Sequence, residues 1–475
     1  MKPNQFTYLF YAIAIILILF LFIATLENAF FWDTVQLGSL HANFYYENNF
    51  SEFLLPKRID SGHIPAFGIY IASAWKVFGR TLLVSHLAML PFILGLFWQV
   101  HKLVSYFFKD NHKGIVFLLL LIDTVLLGQI TLVSPDVPLL MFFFMAFNFI
   151  LTDKKKLLSL TIIFLFLTSM RGMMISFCLL FIDIWLNVEL TKKYKQSFLN
   201  LVKRSFIYLP ALFVFIGFSL WHYTIKGWIG YHDDSPWAAS FKTVGFNGFA
   251  KNIGVYIWRL LDFGKIVPVL VAVILGSIYL KKYWSILKGR ILVIALLIFV
   301  LLFPINMMWA TGLLAHRYLL PVTMLFSLSA SYFLMNSSLS LVLKRGIIMV
   351  WITVTVSGHF WIYPDKIAQG WDSSLAHLPY YNLQKEAIQY FDDNQIELEQ
   401  VETFFPSQGA IDFFFLNGDQ RIIDGYEGKR KYVIYSNINN LSDEEYNYIH
   451  SSAYTLIETL ESNRVFIKIF KKVLK

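Results

Sequence analysis

The sequence predicts a polytopic α-helical membrane protein with a small extracytoplasmic α/β domain at its C-terminus. Of the 475 residues, 57% are hydrophobic and only 15% are charged, and the mean hydropathy is +0.57. The apolar residues gather in about eleven long runs, and the composition becomes that of a soluble domain after Tyr363. This composition excludes a water-soluble globule, because so apolar a chain needs lipid around it.

A helix that crosses a bilayer needs roughly 17 to 25 apolar residues. The runs predict spans near residues 6–26, 81–107, 114–131, 136–152, 157–169, 172–190, 205–225, 265–280, 291–306, 317–335 and 346–363. The first run is longer than the core of a signal peptide and no small-residue cleavage site follows it, so it is predicted to be a retained span.

Basic residues predict the orientation, because cytoplasmic loops collect Lys and Arg. They cluster in every second loop, at 109–113, 154–156, 192–204, 281–290 and 344–345. This pattern predicts a plasma membrane protein, here a bacterial inner membrane protein, with a cytoplasmic N-terminus. The first loop (27–80) and the C-terminal region are then extracytoplasmic. The basic excess of the membrane part favours contact with anionic lipids and not with nucleic acid.

The chain is divided into a membrane domain (1–363) and a soluble domain (364–475). The soluble domain holds 11 basic and 17 acidic residues, a net charge of −6. Short runs at 401–405, 412–416, 431–435 and 464–470 predict strands, and 442–461 predicts a helix. Ser442 followed by Glu445 is the signature of a capping box at the start of that helix. Cys178 is the single cysteine, so no intramolecular disulfide forms.

The first loop carries the strongest candidates for chemistry. It is about fifty residues long and mixes acids, imidazoles and aromatics, which is typical of loops that bind or react. Asp33 follows the first span and is a candidate general base; the alternative is a solvated or helix-capping acid. His63 lies in a Gly-His-Ile-Pro turn, where an imidazole binds phosphate or metal, or is purely structural. Tyr45 is a further candidate for substrate binding.

Four more candidates lie at span ends on the same predicted side. Asp136, in a Ser-Pro-Asp turn, either caps the fourth span or orients a substrate beside Asp33. Arg171 and Arg317 interrupt apolar sequence, where arginine is costly unless it pairs, snorkels or serves a function. Two guanidinium groups suit a phosphate, which they bind in a bidentate manner. Tyr318 follows Arg317 and joins the candidates for substrate binding.

The order of these features resembles a known family. An acid after the first span, a His-x-Pro element, a Val-Phe-Gly-Arg run (77–80), a Ser-Pro-Asp turn (134–136), a basic residue after the fifth span and a late Arg-Tyr pair are similar to the GT-C membrane glycosyltransferases. The protein mannosyltransferases (glycosyltransferase family 39) and the lipid A aminoarabinose transferases are the most similar groups. The resemblance covers about residues 1–335.

The resemblance implies a polyprenyl-phosphate sugar donor and an inverting transfer on the extracytoplasmic side. Asp33 corresponds to the base, Asp136 to a second acid and His63 to an orienting residue. Arg171 and Arg317 correspond to the partners of the lipid phosphate. No cofactor is required, and a divalent cation at the two acids is left open. Asp33 is followed by Thr where protein mannosyltransferases have Glu, so the acceptor stays open among a protein, a lipid such as lipid A and an envelope glycan.

Two other function classes remain open. A transporter or flippase of lipid-linked sugars would favour two pseudo-symmetric halves, and the sequence shows no internal repeat. An envelope-assembly subunit would use the acidic C-terminal domain to recruit a partner.

Overall fold

The computed structural model describes residues 5–188, 194–233, 235, 237–365 and 367–473. Within these residues the chain is mostly helical up to Phe360, and a six-stranded sheet follows. The predicted helical membrane fold with a C-terminal α/β region is therefore confirmed. The last two residues of the predicted span 172–190 lie outside the described residues.

The α-helices before the sheet are Gln5–Ala24, His41–Glu47, Ala66–Phe78, Leu82–Leu87, Leu90–Phe107, Asp110–Leu121, Thr124–Ile130, Asp136–Leu151, Lys155–Thr168, Met170–Asn187, Tyr194–Ser205, Leu209–Lys226, Ala238–Phe241, Phe246–Leu261, Ile266–Ile278, Leu280–Ser285, Leu287–Leu302, Ile305–Met308, Leu320–Asn336 and Leu341–Ser357. A π-helix covers Val35–Leu40, and 3₁₀-helices cover His316–Leu319 and Gly358–Phe360.

Fewer described helices are long and apolar enough to span a membrane than the eleven spans that the sequence predicts. Among the described residues, 7 helices are long and apolar enough to cross a membrane, and up to 9 if each of two bent pairs is one span. The predicted spans 136–152 and 157–169 correspond to helices of 16 and 14 residues, which are short for a perpendicular crossing. The count of eleven stays a prediction.

The two bent helix pairs contact each other at their breaks. Asp110–Leu121 and Thr124–Ile130 differ in direction by 66°, and Phe246–Leu261 and Ile266–Ile278 by 100°. The Asp123 carboxylate starts the second helix of the first pair by accepting the amides of Val125 and Leu126 at 3.0 and 3.1 Å. Thr124 joins the two breaks by donating to the Phe263 carbonyl at 2.8 Å.

Two stretches that the sequence assigns to loops are helical instead. About half of the segment 27–80 folds into the π-helix Val35–Leu40 and the helices His41–Glu47 and Ala66–Phe78. The helix Phe246–Leu261 lies in a stretch predicted as a loop. Its polar residues include Lys251 and Arg259. They lower its hydropathy, so a search for uniformly apolar runs misses an amphipathic helix of this kind.

The sheet of the C-terminal region is mixed. Its strands are β1 (Val401–Thr403), β2 (Gly409–Ala410), β3 (Ile422–Gly425), β4 (Tyr432–Ser436), β5 (Tyr454–Ser462) and β6 (Val465–Lys472). The order is β2-β3-β1-β4-β6-β5, with β1 parallel to β3 and β4 and the other pairs antiparallel. The helix Tyr380–Asp393 packs on β5 and β6.

Two local predictions in this region are wrong. The predicted strand 412–416 contains the helix Asp412–Phe415, which ends where Leu416 takes a left-handed conformation at φ 50°. The predicted helix 442–461 stops at Ile449, and β5 follows because its alternating residues pair along β6. The capping box of Ser442 and Glu445 is confirmed.

The C-terminal region is anchored on the segment 27–80. Arg80 holds the Asp412 carboxylate in a bidentate pair, at 2.5 and 3.2 Å. The Phe30 amide donates to the Phe414 carbonyl at 2.9 Å, and the Phe31 ring stacks on His377 with 4.8 Å between centroids. These contacts bring the C-terminal region next to Asp33.

Two helical glycines differ sharply in their surroundings and give a first prediction. A Cβ added at Gly172 would lie 1.8 Å from the Leu165 carbonyl oxygen, whereas one added at Gly217 meets no described atom within 4 Å. We expect Gly172→Ala to cost about 1–3 kcal/mol of stability through overpacking. Gly217→Ala should leave stability equal or raise it by up to about 1 kcal/mol, from helix propensity. Thermal unfolding midpoints in one detergent compare the two variants, and equal midpoints would contradict the expected close packing.

Candidate functional site

A cavity of about 590 Å³ lies between the segment 27–80 and the ends of several apolar helices. Six of the seven predicted site residues line it: Asp33, His63, Asp136, Arg171, Arg317 and Tyr318. Other lining residues include Leu37, His41, Ser61, Phe67, Ser134, Ser169, Met170, Met173, Met174, Phe215, Trp237, Phe241, Met307 and Trp309. Side chains that are far apart in the sequence therefore share one cavity.

Five charged side chains form the Arg317 cluster: Arg317, Arg171, Asp33, Asp136 and Asp372. Arg317 bonds Asp33 through Nη2 and Asp372 through Nη1, and its Nε lies 3.6 Å from Asp136 Oδ2. These three carboxylates therefore share one guanidinium, and Arg171 bonds the other oxygen of Asp136. With three acids and two bases, the cluster carries a formal charge of −1.

Local sequence explains how Asp33 reaches this cluster. Trp32 has a left-handed backbone, φ 53°, which reverses the chain after the first span. Thr34 locks the turn, because its hydroxyl accepts from the Phe31 amide at 2.9 Å and donates to the Phe31 carbonyl at 2.7 Å. The Asp33 side chain keeps about 14% of its surface exposed, so it faces the cavity and Arg317 together.

Asp136 is positioned in the cluster by the start of the helix Asp136–Leu151. Asp136 is the first residue of its helix, and the Ser134 hydroxyl accepts its backbone amide at 3.2 Å. The Asp136 carboxylate is thus available to the two arginines. Pro135 is the N-cap residue of this helix, which has no side-chain cap, so the predicted capping role of Asp136 is wrong. The carboxylate lies instead between the two arginines, one of which also bonds Asp33. Tyr318 presents its ring to both guanidinium groups, at 4.3 Å from Arg171 and 4.9 Å from Arg317.

Two imidazoles also line the cavity, those of His63 and His41. Desolvation lowers the pKa of His63 to about 4, and the nearby His41 and Arg171 act in the same direction. Burial also lowers the pKa of His41 to about 4, although its Nε2 lies 2.8 Å from the Ile59 carbonyl. Both imidazoles are therefore neutral near pH 7.

The structure does not bring Tyr45 to the described lining of the cavity. Its side chain is buried, and its hydroxyl donates to the Phe53 carbonyl at 2.5 Å. The Tyr45 ring stacks on Phe50 at 6.2 Å. Aromatic content alone could not show which face of the helix His41–Glu47 this ring occupies.

Asp372 is the member of the cluster that sequence reasoning missed. It follows the last apolar helix, and its backbone carbonyl accepts from Gln129 Nε2 at 2.7 Å. Its side chain is buried against Arg317. A signal was present in the sequence, since Trp371-Asp372-Ser373 repeats the pattern of Trp32-Asp33-Thr34.

A second set of hydrogen-bonded side chains, those of His316, Asp262 and Tyr363, supports the backbone at Arg317. His316 Nε2 lies 2.6 Å from Asp262 Oδ2, and the Tyr363 hydroxyl donates to the same carboxylate oxygen. His316 is fully buried directly before Arg317 in the chain. These residues fix the backbone from which the Arg317 side chain reaches the cavity.

The divalent cation that the sequence leaves open is not tested by this geometry. Within the described part of the chain, no three His, Cys, Asp or Glu side chains are grouped so that they could hold a metal ion. Asp33 and Asp136 face arginines in this structure. A cation site at these two acids therefore stays open.

Acidification gives a prediction for the His41 side chain. A folded-state pKa of about 4 lies below the ordinary value of 6.5, so the unfolded chain binds the proton more readily. Above pH 6.5 the neutral His41 contributes about 3 kcal/mol to the free energy of unfolding, and this contribution is lost as the pH falls towards 4. We expect His41→Gln to lose less stability than the unmodified chain over this interval. Unfolding midpoints measured against pH test this, with His450→Gln, at an exposed position, as the control that should follow the unmodified chain.

The apolar helices, the charged cavity and the C-terminal sheet together define the fold of a helical membrane protein. A solved structure shares this fold. ArnT from Cupriavidus metallidurans bound to undecaprenyl phosphate matches with a TM-score of 0.50 and 10% identity, over 98% of this chain and 98% of that chain. The apo state of ArnT matches with a TM-score of 0.49 and 10% identity, over 98% and 97%. The predicted resemblance is confirmed at the level of the fold.

No protein-family model matches the sequence, and no curated protein matches it.

Proposed function

We propose that this protein is an integral-membrane, inverting glycosyltransferase that uses a polyprenyl-phosphate sugar as donor. The observation that carries the proposal is the meeting of Asp33, Asp136, Arg171 and Arg317 in one cavity. The fold adds support, because ArnT, which shares it, was solved with undecaprenyl phosphate bound. The proposed setting is the bacterial inner membrane, with the cavity and the C-terminal region on the extracytoplasmic side.

Arg171 is the proposed first contact of the donor phosphate. It has a single carboxylate partner among the described residues, whereas Arg317 has three. It also lies in the first turn of the helix Met170–Asn187, capped by Ser169. Helix N-termini attract anions, and the remaining N–H groups of the guanidinium are free to form bidentate bonds with a phosphate.

The apolar wall beside Arg171 is the proposed path of the prenyl chain. Met170, Met173 and Met174 line it from one helix and Phe215 from another. Methionine side chains adapt to irregular apolar ligands. A lipid whose phosphate sits at Arg171 would lay its tail along these residues and its sugar towards Asp33.

Asp33 is the proposed base, and the leaving phosphate needs no further cofactor. A positioned carboxylate accelerates transfer when it takes the acceptor proton in the transition state. Fixed positive charge stabilises the phosphate as it leaves. Asp136 keeps Arg171 and Arg317 at a fixed separation by binding both.

The test is transfer of label from a panel of radiolabelled polyprenyl-phosphate sugars. The purified full chain is placed in lipid vesicles, with envelope extract as the acceptor source. Protein-free vesicles and Glu52→Gln, an exposed acid in the same segment, serve as controls. We expect labelled product and free polyprenyl phosphate from one donor, at equal rates in the full chain and Glu52→Gln.

Other outcomes of this experiment would overturn the proposal. Movement of an intact donor across the vesicle membrane without bond cleavage would establish a flippase. Absence of both reactions, with a partner protein co-purifying through residues 364–475, would establish an assembly subunit.

A further inference from the structure

The charge of the cavity wall bears on the kind of acceptor that the site takes. We infer that the acceptor reacts through an uncharged hydroxyl group and that the product is an ordinary glycoside, not a glycosyl phosphate. This inference rests on the proposed function. It narrows the acceptor from any envelope component to hydroxyl-bearing ones, such as a sugar or a hydroxyl side chain.

The Arg317 cluster already holds more negative than positive charge. The Arg317 cluster carries a formal charge of −1 before any substrate enters. A polyprenyl-phosphate sugar is a phosphodiester and adds one negative charge, which gives −2. A phosphate acceptor would add up to two more negative charges. Arg171 and Arg317 are the Lys or Arg residues in the described lining, and both are already paired, so this added charge would meet no free cation there.

The rest of the cavity lining offers neutral polar groups and aromatic rings to the acceptor. Ser61, His63 and His41 also line the cavity. Both imidazoles are neutral near pH 7, because protein surroundings lower their pKa values to about 4. A hydroxyl and neutral imidazoles bind another hydroxyl by hydrogen bonds without requiring charge. Trp237 and Trp309 add aromatic faces on which a sugar ring can pack.

The proposed base, Asp33, suits an acceptor that gives up a proton. The hydroxyl oxygen of the acceptor attacks the anomeric carbon while its proton passes to the Asp33 carboxylate. The bond from that carbon to the phosphate oxygen breaks, and the oxygen keeps the electron pair as the leaving phosphate. An ionised phosphate acceptor would have no proton to give. The Asp33 carboxylate would then have no proton to accept and would only repel the negatively charged acceptor.

The linkage of the product tests the inference whichever envelope component is the acceptor. Full-length protein in vesicles is given the radiolabelled donor and envelope extract, and the product is separated from residual donor. Mild acid cleaves glycosyl phosphates and spares glycosides, so the residual donor is an internal positive control. A parallel extract is treated with phosphatase, which removes phosphomonoester acceptors, and the phosphatase is then removed.

Each outcome separates the inference from the proposed function. We expect the product to keep its label in mild acid while the donor loses it, and the phosphatase-treated extract to yield equal product. An acid-labile product that disappears after phosphatase treatment would overturn the inference and leave the transferase proposal standing. Failure of every donor to lose its sugar, with either extract, would overturn the proposed function and the inference with it.

Discussion

Arg317→Ala is expected to abolish sugar transfer and to lower the stability of the fold by about 3–5 kcal/mol, the usual cost of leaving a buried charge without its partner. The reason is geometric, because Asp33, Asp136 and Asp372 all face this one guanidinium. Without it, three carboxylates repel each other in a partly desolvated space. Arg171 compensates only Asp136.

The measurement is the unfolding midpoint in lipid or detergent, together with transfer. Arg421→Ala is the matched control, since Arg421 is an exposed arginine with two carboxylate partners, Asp392 and Asp419. Such surface pairs contribute about 0–1 kcal/mol. Adding Asp372→Asn to Arg317→Ala should recover part of the lost stability, because it removes one of the repelling charges. Midpoints for Arg317→Ala and Arg421→Ala that agree within error would refute the central position of Arg317.

The membrane fold could be predicted from hydropathy because lipid imposes one simple condition on every spanning helix. Prediction from hydropathy fails for an amphipathic helix such as Phe246–Leu261. It also fails where an acid such as Asp123 divides one apolar run into two helices. In the C-terminal region no such condition applies. There the pairing of β5 with β6 overrides a pattern that resembles a helix.

The site could be predicted as far as it depends on charged residues at the ends of apolar runs. Asp33, Asp136, Arg171 and Arg317 are conspicuous because each is costly beside lipid unless it is paired. Asp372 is not conspicuous, since an acid in a soluble segment costs nothing by itself. Its contribution follows only from the folding of that segment against Gln129.

Asp33→Asn is expected to lower the turnover of sugar transfer by about 10²–10⁴-fold, the usual contribution of a general base. The substitution keeps the shape of the side chain and an oxygen that accepts from Arg317. It removes the basic oxygen that would take the acceptor proton. It also changes the formal charge of the Arg317 cluster from −1 to zero, so binding of the donor phosphate should not weaken.

Turnover and KM are therefore expected to separate in this variant. Turnover measured over a range of donor concentrations should show a large fall in kcat with an equal or lower KM for the donor, as expected for a group that acts in the transition state. Glu52→Gln should leave both values unchanged. Full turnover in Asp33→Asn would exclude Asp33 as the base. A rise in KM at unchanged kcat would instead make Asp33 a residue that only positions Arg317 for the donor phosphate, since the carboxylate would then be needed for binding and not for proton transfer.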